Sequence, residues 1–339
     1  MEFSLYRSFP QALETEWNDL LAESHCHVPF MRYEYLQIWW ETRGGGEWPP
    51  DAQLAIVVAR ENGRLTGIAP LFFATWEGRP TLLLLGSIEI SDYLDLIVRD
   101  ADLPAFAREL LDFLTRDGNG LPDWDRLDLY NVIETSPTLQ ALAESAAALG
   151  WTYTQAPFRP AMTLQLPGDW ETYLASIDKK QRHEIRRKMR RAYNDQLPVR
   201  WYIARDPRAI DAEIEAFLHL MENDPEKAAF LTPPMRENFR LATRCAFDHD
   251  CLLLAFLEVD GVKAAAYLTF DYVDTLWVYN SGMNGAYNEY SPGWVLLGEL
   301  LKWSIENGRK VFDFMRGDED YKLRFGAKRR EVMRLTVNR

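Results

Sequence analysis

The chain has 339 residues, is 47% hydrophobic and carries a formal net charge of −13 from 38 basic and 51 acidic side chains. That length suits two domains of about 150 residues each, and the apolar fraction excludes a chain too polar to fold. The acidity excludes a generic DNA-coating protein, because phosphate binding needs an excess of cations.

Three scattered cysteines, Cys26, Cys245 and Cys251, exclude a disulfide framework and suit a reducing compartment. The opening Met1-Glu2-Phe3 has no basic stretch followed by an apolar one. No secretory leader is expected, and no run reaches the ~18 apolar residues of a membrane span. A soluble cytoplasmic protein is the expectation.

In chain order, residues 2–9 read as a strand, and a helix follows from Trp17. Residues 57–73 hold two apolar runs about Asn62-Gly63, a hairpin turn whose glycine tolerates positive φ. A strand at 81–88, a helix led by Glu109 and a strand at Leu127-Asp128-Leu129 complete this part. A boundary is expected near 151–161. Residues 169–194 then predict one helix of about 39 Å, capped by Asp169, with Tyr173, Ile177, Ile185, Met189 and Tyr193 on one stripe.

The pattern then repeats. Residues 199–204 form a strand, Phe217 starts the counterpart of the Trp17 helix, and 255–270 is a hairpin about Asp260-Gly261. The offset between matching features falls from 200 (Trp17 to Phe217) through 198 (Gly63 to Gly261), 194 (Thr81 to Thr275) and 190 (Glu109 to Glu299) to 185 (Leu127 to Phe312). A slow drift in one direction is what small loop changes after a duplication produce. Each copy reads as strand, two helices, hairpin, strand, helix, strand, which predicts a mixed α/β sheet with helices on its faces.

The second copy carries the more specific residues. Strand 275–283 runs into Asn284–Tyr290, and a helix starts at Ser291-Pro292-Gly293. Free N–H groups, a favourable dipole and a missing side chain let such a start take a pyrophosphate, although an ordinary capped helix has the same signature. Strand 310–315 leads into a loop crowded with Arg316, Lys322, Arg324 and Lys328. Loops at the carboxyl ends of sheet strands are where open α/β folds bind ligands.

Gly317-x-Glu319-x-Tyr321-Lys322-x-x-Phe325-Gly326, preceded by Phe312-Asp313-Phe314, resembles a G-x-E-x-Y-K-x-x-F-G signature. That signature belongs to the acyltransferases grouped with CelD-like polysaccharide-biosynthesis proteins and the Fem aminoacyltransferases. Trp170, Tyr173, Ser176, Arg182 and Ile185-Arg186-Arg187 resemble a further stretch of the family. So do Pro29-Phe30, Trp39-Trp40 and Ser91-Asp92-Tyr93-x-Asp95.

The resemblance implies two tandem GNAT-type domains, residues 1–155 and 156–339, with the basic helix inserted in the second. It also implies that strands 275–283 and 310–315 splay apart around the arm of an acyl-CoA. The usual R/Q-x-x-G-x-G/A pyrophosphate loop is absent, and Asn288-Glu289-Tyr290-Ser291-Pro292-Gly293 stands in its place. That leaves aminoacyl-tRNA a live donor beside acetyl-CoA. The first domain is expected to bind no donor and to support the acceptor side.

Acyl transfer to an amine needs a neutral nucleophile, donors for the oxyanion and a proton for the leaving group. The expected donor-side residues are Trp277, Val278 and Tyr279 through their main chain, with Phe314 and Ser291-Pro292-Gly293. Lys322 is the expected cationic stabiliser, a role the resemblance supports. Tyr321 or Tyr287 would protonate the leaving group, and Glu289 or Asp318 would deprotonate the amine. Arg186, Arg187 and Arg316, with Asp92 and Tyr93, are the expected substrate-side groups.

Between Lys179 and Arg191 stand eight cations and one acid, Glu184. They are either a solvated face on an acidic protein or a seat for an anionic substrate or membrane surface. No metal is expected: His25-Cys26-His27 are adjacent side chains that rarely converge on one ion, and Cys245, His249 and Cys251 suit core or surface roles.

The expected function is N-acyl transfer, from acetyl-CoA or another acyl-CoA, to an amine of a sugar, amino acid or cell-envelope precursor. The alternatives are an aminoacyl-tRNA-dependent transferase and a non-catalytic GNAT pair serving polysaccharide synthesis.

Overall fold

The computed structural model describes residues 1–194 and 197–339. In chain order the elements begin β1 (Glu2–Tyr6), α1 (Glu14–Ala22), α2 (Tyr33–Glu41), α3 (Arg43–Gly46), β2 (Gln53–Glu61), β3 (Arg64–Trp76) and β4 (Arg79–Leu84). There follow β5 (Ile97–Val98), α4 (Leu103–Thr115), β6 (Arg126–Ile133), α5 (Thr138–Ala148), β7 (Thr152–Gln165), α6 (Trp170–Ser176) and α7 (Lys179–Asn194). Next come β8 (Val199–Ile203), α8 (Ile210–Met221), α9 (Pro225–Phe230), α10 (Pro233–Asp248), β9 (Leu252–Val259) and β10 (Val262–Tyr272). The last are β11 (Thr275–Met283), α11 (Pro292–Glu306), β12 (Val311–Arg316), α12 (Asp320–Arg324) and β13 (Lys328–Asn338).

The chain divides into two compact units, residues 1–160 with 331–339, and residues 161–330. In the first unit the strand order is β1-β2-β3-β4-β6, closed by residues 332–338 of β13 antiparallel to β6. Its one parallel step joins β4 to β6 over Thr81↔Arg126, Leu82↔Leu127 and Leu83↔Asp128. In the second unit the order is β8-β9-β10-β11-β12, closed by residues 161–165 of β7 antiparallel to β12. Its parallel step joins β11 to β12 over Thr275↔Val311, Leu276↔Phe312 and Trp277↔Asp313. One strand order with one parallel step at the same place, found twice, is the duplication read from the offsets.

The two hairpins close alike. Asn62 and Gly63 have φ of 51° and 80°, and Asp260 and Gly261 have φ of 52° and 75°. Two consecutive positive φ values define the tight turn that matches strand twist.

Each core lies between sheet and helices. In the first unit Phe106, Leu110 and Leu111 of α4 are buried, and Trp17, Trp39 and Trp124 are fully enclosed, so part of the tryptophan surplus is core. In the second unit α11 buries Val295, Leu296, Leu300 and Leu301 alongside Tyr173 and Leu174 of α6 and Ile185 of α7.

The single helix expected over 169–194 is two helices. Asp169 caps the first, accepting from the Thr172 N–H at 2.8 Å. Ile177 is then extended, and the Asp178 carboxylate accepts from the N–H groups of Lys180 at 2.8 Å and Gln181 at 3.4 Å. An aspartate that satisfies the orphan donors of a new helix start competes with continuing the old one. α7 alone is therefore about 24 Å long at 1.5 Å per residue. No helix among the described residues is long and apolar enough to cross a membrane.

Candidate active site

The centre of the second unit is built by β10, β11, α11 and β12. β11 is irregular. Its register with β10 steps from Leu268↔Asn280 to Thr269↔Val278, so Tyr279 is an extra residue, a bulge. A bulge bends its strand and sharpens the local twist. Its pairing with β12 ends at Trp277↔Asp313, while β12 goes on pairing with β7 at Met315↔Met162 and Arg316↔Ala161. Past Trp277 the two parallel strands part.

A cavity of about 310 Å³ lies in this unit, lined by Tyr267 of β10, Ser281 and Met283 of β11, Asn288, the start of α11 from Ser291 to Trp294, Leu297 and Tyr321. Its walls are mostly apolar, with hydroxyl groups set into them. Tyr267 is 5% exposed, and among the described residues neither its hydroxyl nor that of Tyr321 has a hydrogen-bond partner. Burial pushes the Tyr267 phenol well up, helped by Tyr321 and Glu319, and burial likewise raises Tyr321, helped by Glu319. Both phenols are therefore neutral donors at neutral pH. The indole N–H of Trp294 is buried and has no hydrogen-bond partner among the described residues. The Lys188 ammonium of α7 lies 4.2 Å from a Trp294 ring centroid.

The structure brings four of the expected residues to this cavity: Ser291, Pro292, Gly293 and Tyr321. Ser291 does not cap α11 with its side chain. It sits in the left-handed region at φ 51°, which turns the chain into the helix. A Cβ at Gly293 would stand 2.6 Å from both Sδ and Cε of Met283, so the flexible end of that side chain would have to move aside.

The side chains of the other expected residues do not line this cavity. Trp277 and Val278 are buried, and the Trp277 indole donates to the Tyr272 carbonyl at 3.0 Å. The Tyr279 ring packs against Phe239 and Phe270, and Phe314 packs against Phe312. Tyr287 is half-buried, while Glu289 and Asp318 are exposed; none of the three lines the cavity.

Lys322 is 2% exposed and turned inward. Its ammonium donates to the carbonyls of Arg316 at 2.7 Å and Gly317 at 3.3 Å and pairs with Glu319 at 2.9 Å. Three acceptors of its own turn take its three hydrogens. The geometry makes it the brace of the 316–319 loop, with Arg316 supplying a carbonyl to it.

On α7, Arg186 pairs with Glu171, and Arg187 holds Glu184 at 2.9 Å. In the first unit Asp92 and Tyr93 are each 4% exposed. They belong to a segment that occupies the edge of β6: the Leu94 N–H donates to the Asn131 carbonyl at 2.8 Å, and the Asn131 amide donates to the carbonyls of Ile88 at 2.9 Å and Ser91 at 2.8 Å. The place where β4 and β6 part is filled by the chain itself.

No group of metal-ligating side chains is found among the described residues. Cys245 Sγ lies 3.6 Å from His249 Nδ1, and Cys251 is buried. His25 meets Asp95 at 3.1 Å and Asp100 at 3.2 Å.

Sequence reasoning missed Tyr267, Trp294 and Lys227. The Lys227 ammonium donates to the Ser281 carbonyl at 2.5 Å, Asn280 Oδ1 at 3.0 Å and Ser281 Oγ at 3.4 Å. Nothing local marks these residues: each meets the cavity or its strand only through tertiary packing.

Residues 179–323 match the profile of the acetyltransferase (GNAT) domain family. No curated protein matches the sequence. Among solved structures, a conserved protein of unknown function from Bacteroides thetaiotaomicron superposes with a TM-score of 0.62 at 13% identity, covering 100% of both chains. L-PGS from Bacillus licheniformis gives 0.58 at 12% identity over 100% of this chain and 94% of its own, and FemX gives 0.56 at 12% identity over 99% and 97%.

Proposed function

We propose, from the premise that this chain is an acyltransferase of the GNAT fold, that its second unit transfers an acyl group to an amine. The observation that carries the reading is the parting of β11 and β12 past Trp277↔Asp313, in the unit that holds a largely apolar cavity beside the start of α11.

The donor we favour is acetyl-CoA or another acyl-CoA. The cavity suits a small acyl group, and the first N–H groups of α11 with the nearby Lys188 suit a pyrophosphate. A bound acyl-CoA would supply a carbonyl activated as a thioester. The chain's own groups then divide the work. Main-chain N–H groups of β11 receive the developing oxyanion. A neutral phenol, Tyr321 or Tyr267, gives its proton to the departing thiolate. Glu319, exposed and paired with Lys322 at 2.9 Å, is the carboxylate we assign to take the proton of the acceptor amine. The acceptor class we propose is an amine on a sugar, amino acid or cell-envelope precursor.

A second reading is supported by α7. Lys179, Lys180, Arg182 and Arg190 have no ionic partner among the described residues, and Lys188 of the same helix reaches Trp294 at the cavity. A polyanionic donor such as an aminoacyl-tRNA could lie on that face with its acyl end in the cavity.

Calorimetry and thermal shift with acetyl-CoA, longer acyl-CoAs and charged tRNA separate the two. Binding at about 100 times Kd raises stability by about 2.7 kcal/mol. No response to any acyl-CoA at millimolar concentration sinks the favoured donor; a salt-sensitive response to tRNA supports the second.

A further inference from the structure

β11 stays useful to acyl transfer only while its far half holds its course. Beyond Trp277 it no longer has β12 as a neighbour, and at Tyr279 it bulges. A bulge leaves one residue unpaired and bends its strand, and past it β11 is paired on the β10 side from Asn280 to Met283. Ser281, two residues after the bulge, lines the cavity.

One side chain from outside the sheet grips this stretch. Lys227 lies in α9, whose start is capped by the Asp224 carboxylate accepting from the Glu226 N–H at 2.9 Å. Its ammonium reaches the Ser281 carbonyl at 2.5 Å, Asn280 Oδ1 at 3.0 Å and Ser281 Oγ at 3.4 Å. Asn280 Oδ1 also accepts from the Ser281 N–H at 2.8 Å, so the side chain, the main chain and the ammonium close one small network. All three hydrogens go to uncharged acceptors on two consecutive residues. A half-buried cation held for charge balance alone would seek a carboxylate, because desolvating an ammonium is costly unless an anion compensates. Asp224 and Glu319 act on it only through their fields.

We infer that Lys227 is a positioning residue for acyl transfer, a clamp that holds the Asn280–Ser281 edge of β11 so that the strand keeps facing the cavity. This rests on the reading that the parted strands hold the reacting carbonyl. The clamp needs its charge. Burial lowers the Lys227 pKa, opposed by Asp224 on its own segment and by Glu319 at the head of α12, itself paired with Lys322. The grip therefore weakens on the alkaline side, and an arginine in its place would keep it.

Hydrogen exchange on the full chain tests this directly. In K227M the amides of residues 279–282 should exchange about tenfold faster, with first-unit peptides unchanged. As pH rises towards the ordinary lysine value of about 10.4, the wild type should lose protection there, after correction for intrinsic exchange, while K227R keeps it. If K227M fails to fold, K227Q serves, and the K227R pH comparison stands alone. Wild-type protection in K227M or K227Q, or a K227R profile that tracks the wild type, overturns the clamp. The kinetic arm uses acetyl-CoA with hydroxylamine as acceptor: K227M should lose about 10²-fold in kcat with acetyl-CoA Kd unchanged, and K227R should recover most of it. Inactivity of the wild type toward acetyl-CoA overturns the donor, and the exchange data still judge the clamp.

Discussion

Two phenols facing one cavity, Tyr267 buried and Tyr321 half-buried, each without a hydrogen-bond partner among the described residues, are the groups whose removal should speak most clearly. Phenylalanine at either keeps the shape and removes one donor. If one of them protonates the leaving group, that variant should lose about 10²–10⁴ in turnover, while the other loses little. Equal, small losses in both would remove the acid from this pair. Lys322 makes a different prediction. Its ammonium holds two carbonyls and Glu319 in a loop where Gly317 has φ 107°. Replacing it with methionine should lower stability by about 1–3 kcal/mol, the cost of leaving buried acceptors unpaired. A denaturant titration reads this, and a K322M chain as stable as the wild type would argue that the brace is dispensable.

At the scale of elements, α7 is the informative one. It is tied down by Ile185 and Ala192, both buried, and by Met189 against Gly298. The sequence pattern placed Ile185 and Met189 on that inward face, but it also placed there Tyr193, which is exposed, and missed Ala192 and the break before the helix. Arg186 and Arg187 already have carboxylate neighbours, so among the described residues the α7 cations without an ionic partner are Lys179, Lys180, Arg182 and Arg190. Reversing Lys180 and Arg190 should flatten the salt dependence of tRNA binding by about 1.5 in log–log slope, near 0.7–0.9 for each phosphate no longer neutralised. A steep slope that survives the double reversal would relieve α7 of that role. Surface ion pairs are worth little, about 0–1 kcal/mol each, so folding should be unaffected.

At the scale of the whole chain, the two units repeat one topology but meet acid and base differently. In the first unit His25 is held between Asp95 and Asp100, and Asp95 also accepts from Ser136. Burial alone would lower the imidazole pKa; the hydrogen bond and charge of Asp95, with Asp100, outweigh it, and the net shift is upward. A raised folded-state pKa stabilises the unit fully below the unfolded value of about 6.5 and loses that contribution as pH rises through the folded value. Thermal unfolding from about pH 5.5 to about pH 8.5 should therefore show a fall that His25→Gln abolishes. A fall of the same size in the variant would place its origin elsewhere.

Much of this protein was legible in its residues. The drift of offsets announced the duplication, Asn62-Gly63 and Asp260-Gly261 announced two equivalent turns, and the Tyr321-Lys322 stretch pointed to the end of β12 beyond which Tyr321 lines the cavity. These are local signals, because turn geometry and side-chain periodicity act over a few residues.

What residue order could not carry is convergence. Tyr267 and Tyr321 stand 54 positions apart in sequence, as do Lys227 and Ser281. Their meeting depends on where β10, β11, α9 and α12 pack. Lys322 shows the same limit from the other side: its sequence context suggested a group aimed at substrate, and packing turned it toward its own carbonyls. Which donors face the cavity, and which are spent inside the fold, is decided by burial and by the acceptors that tertiary packing brings within about 3 Å.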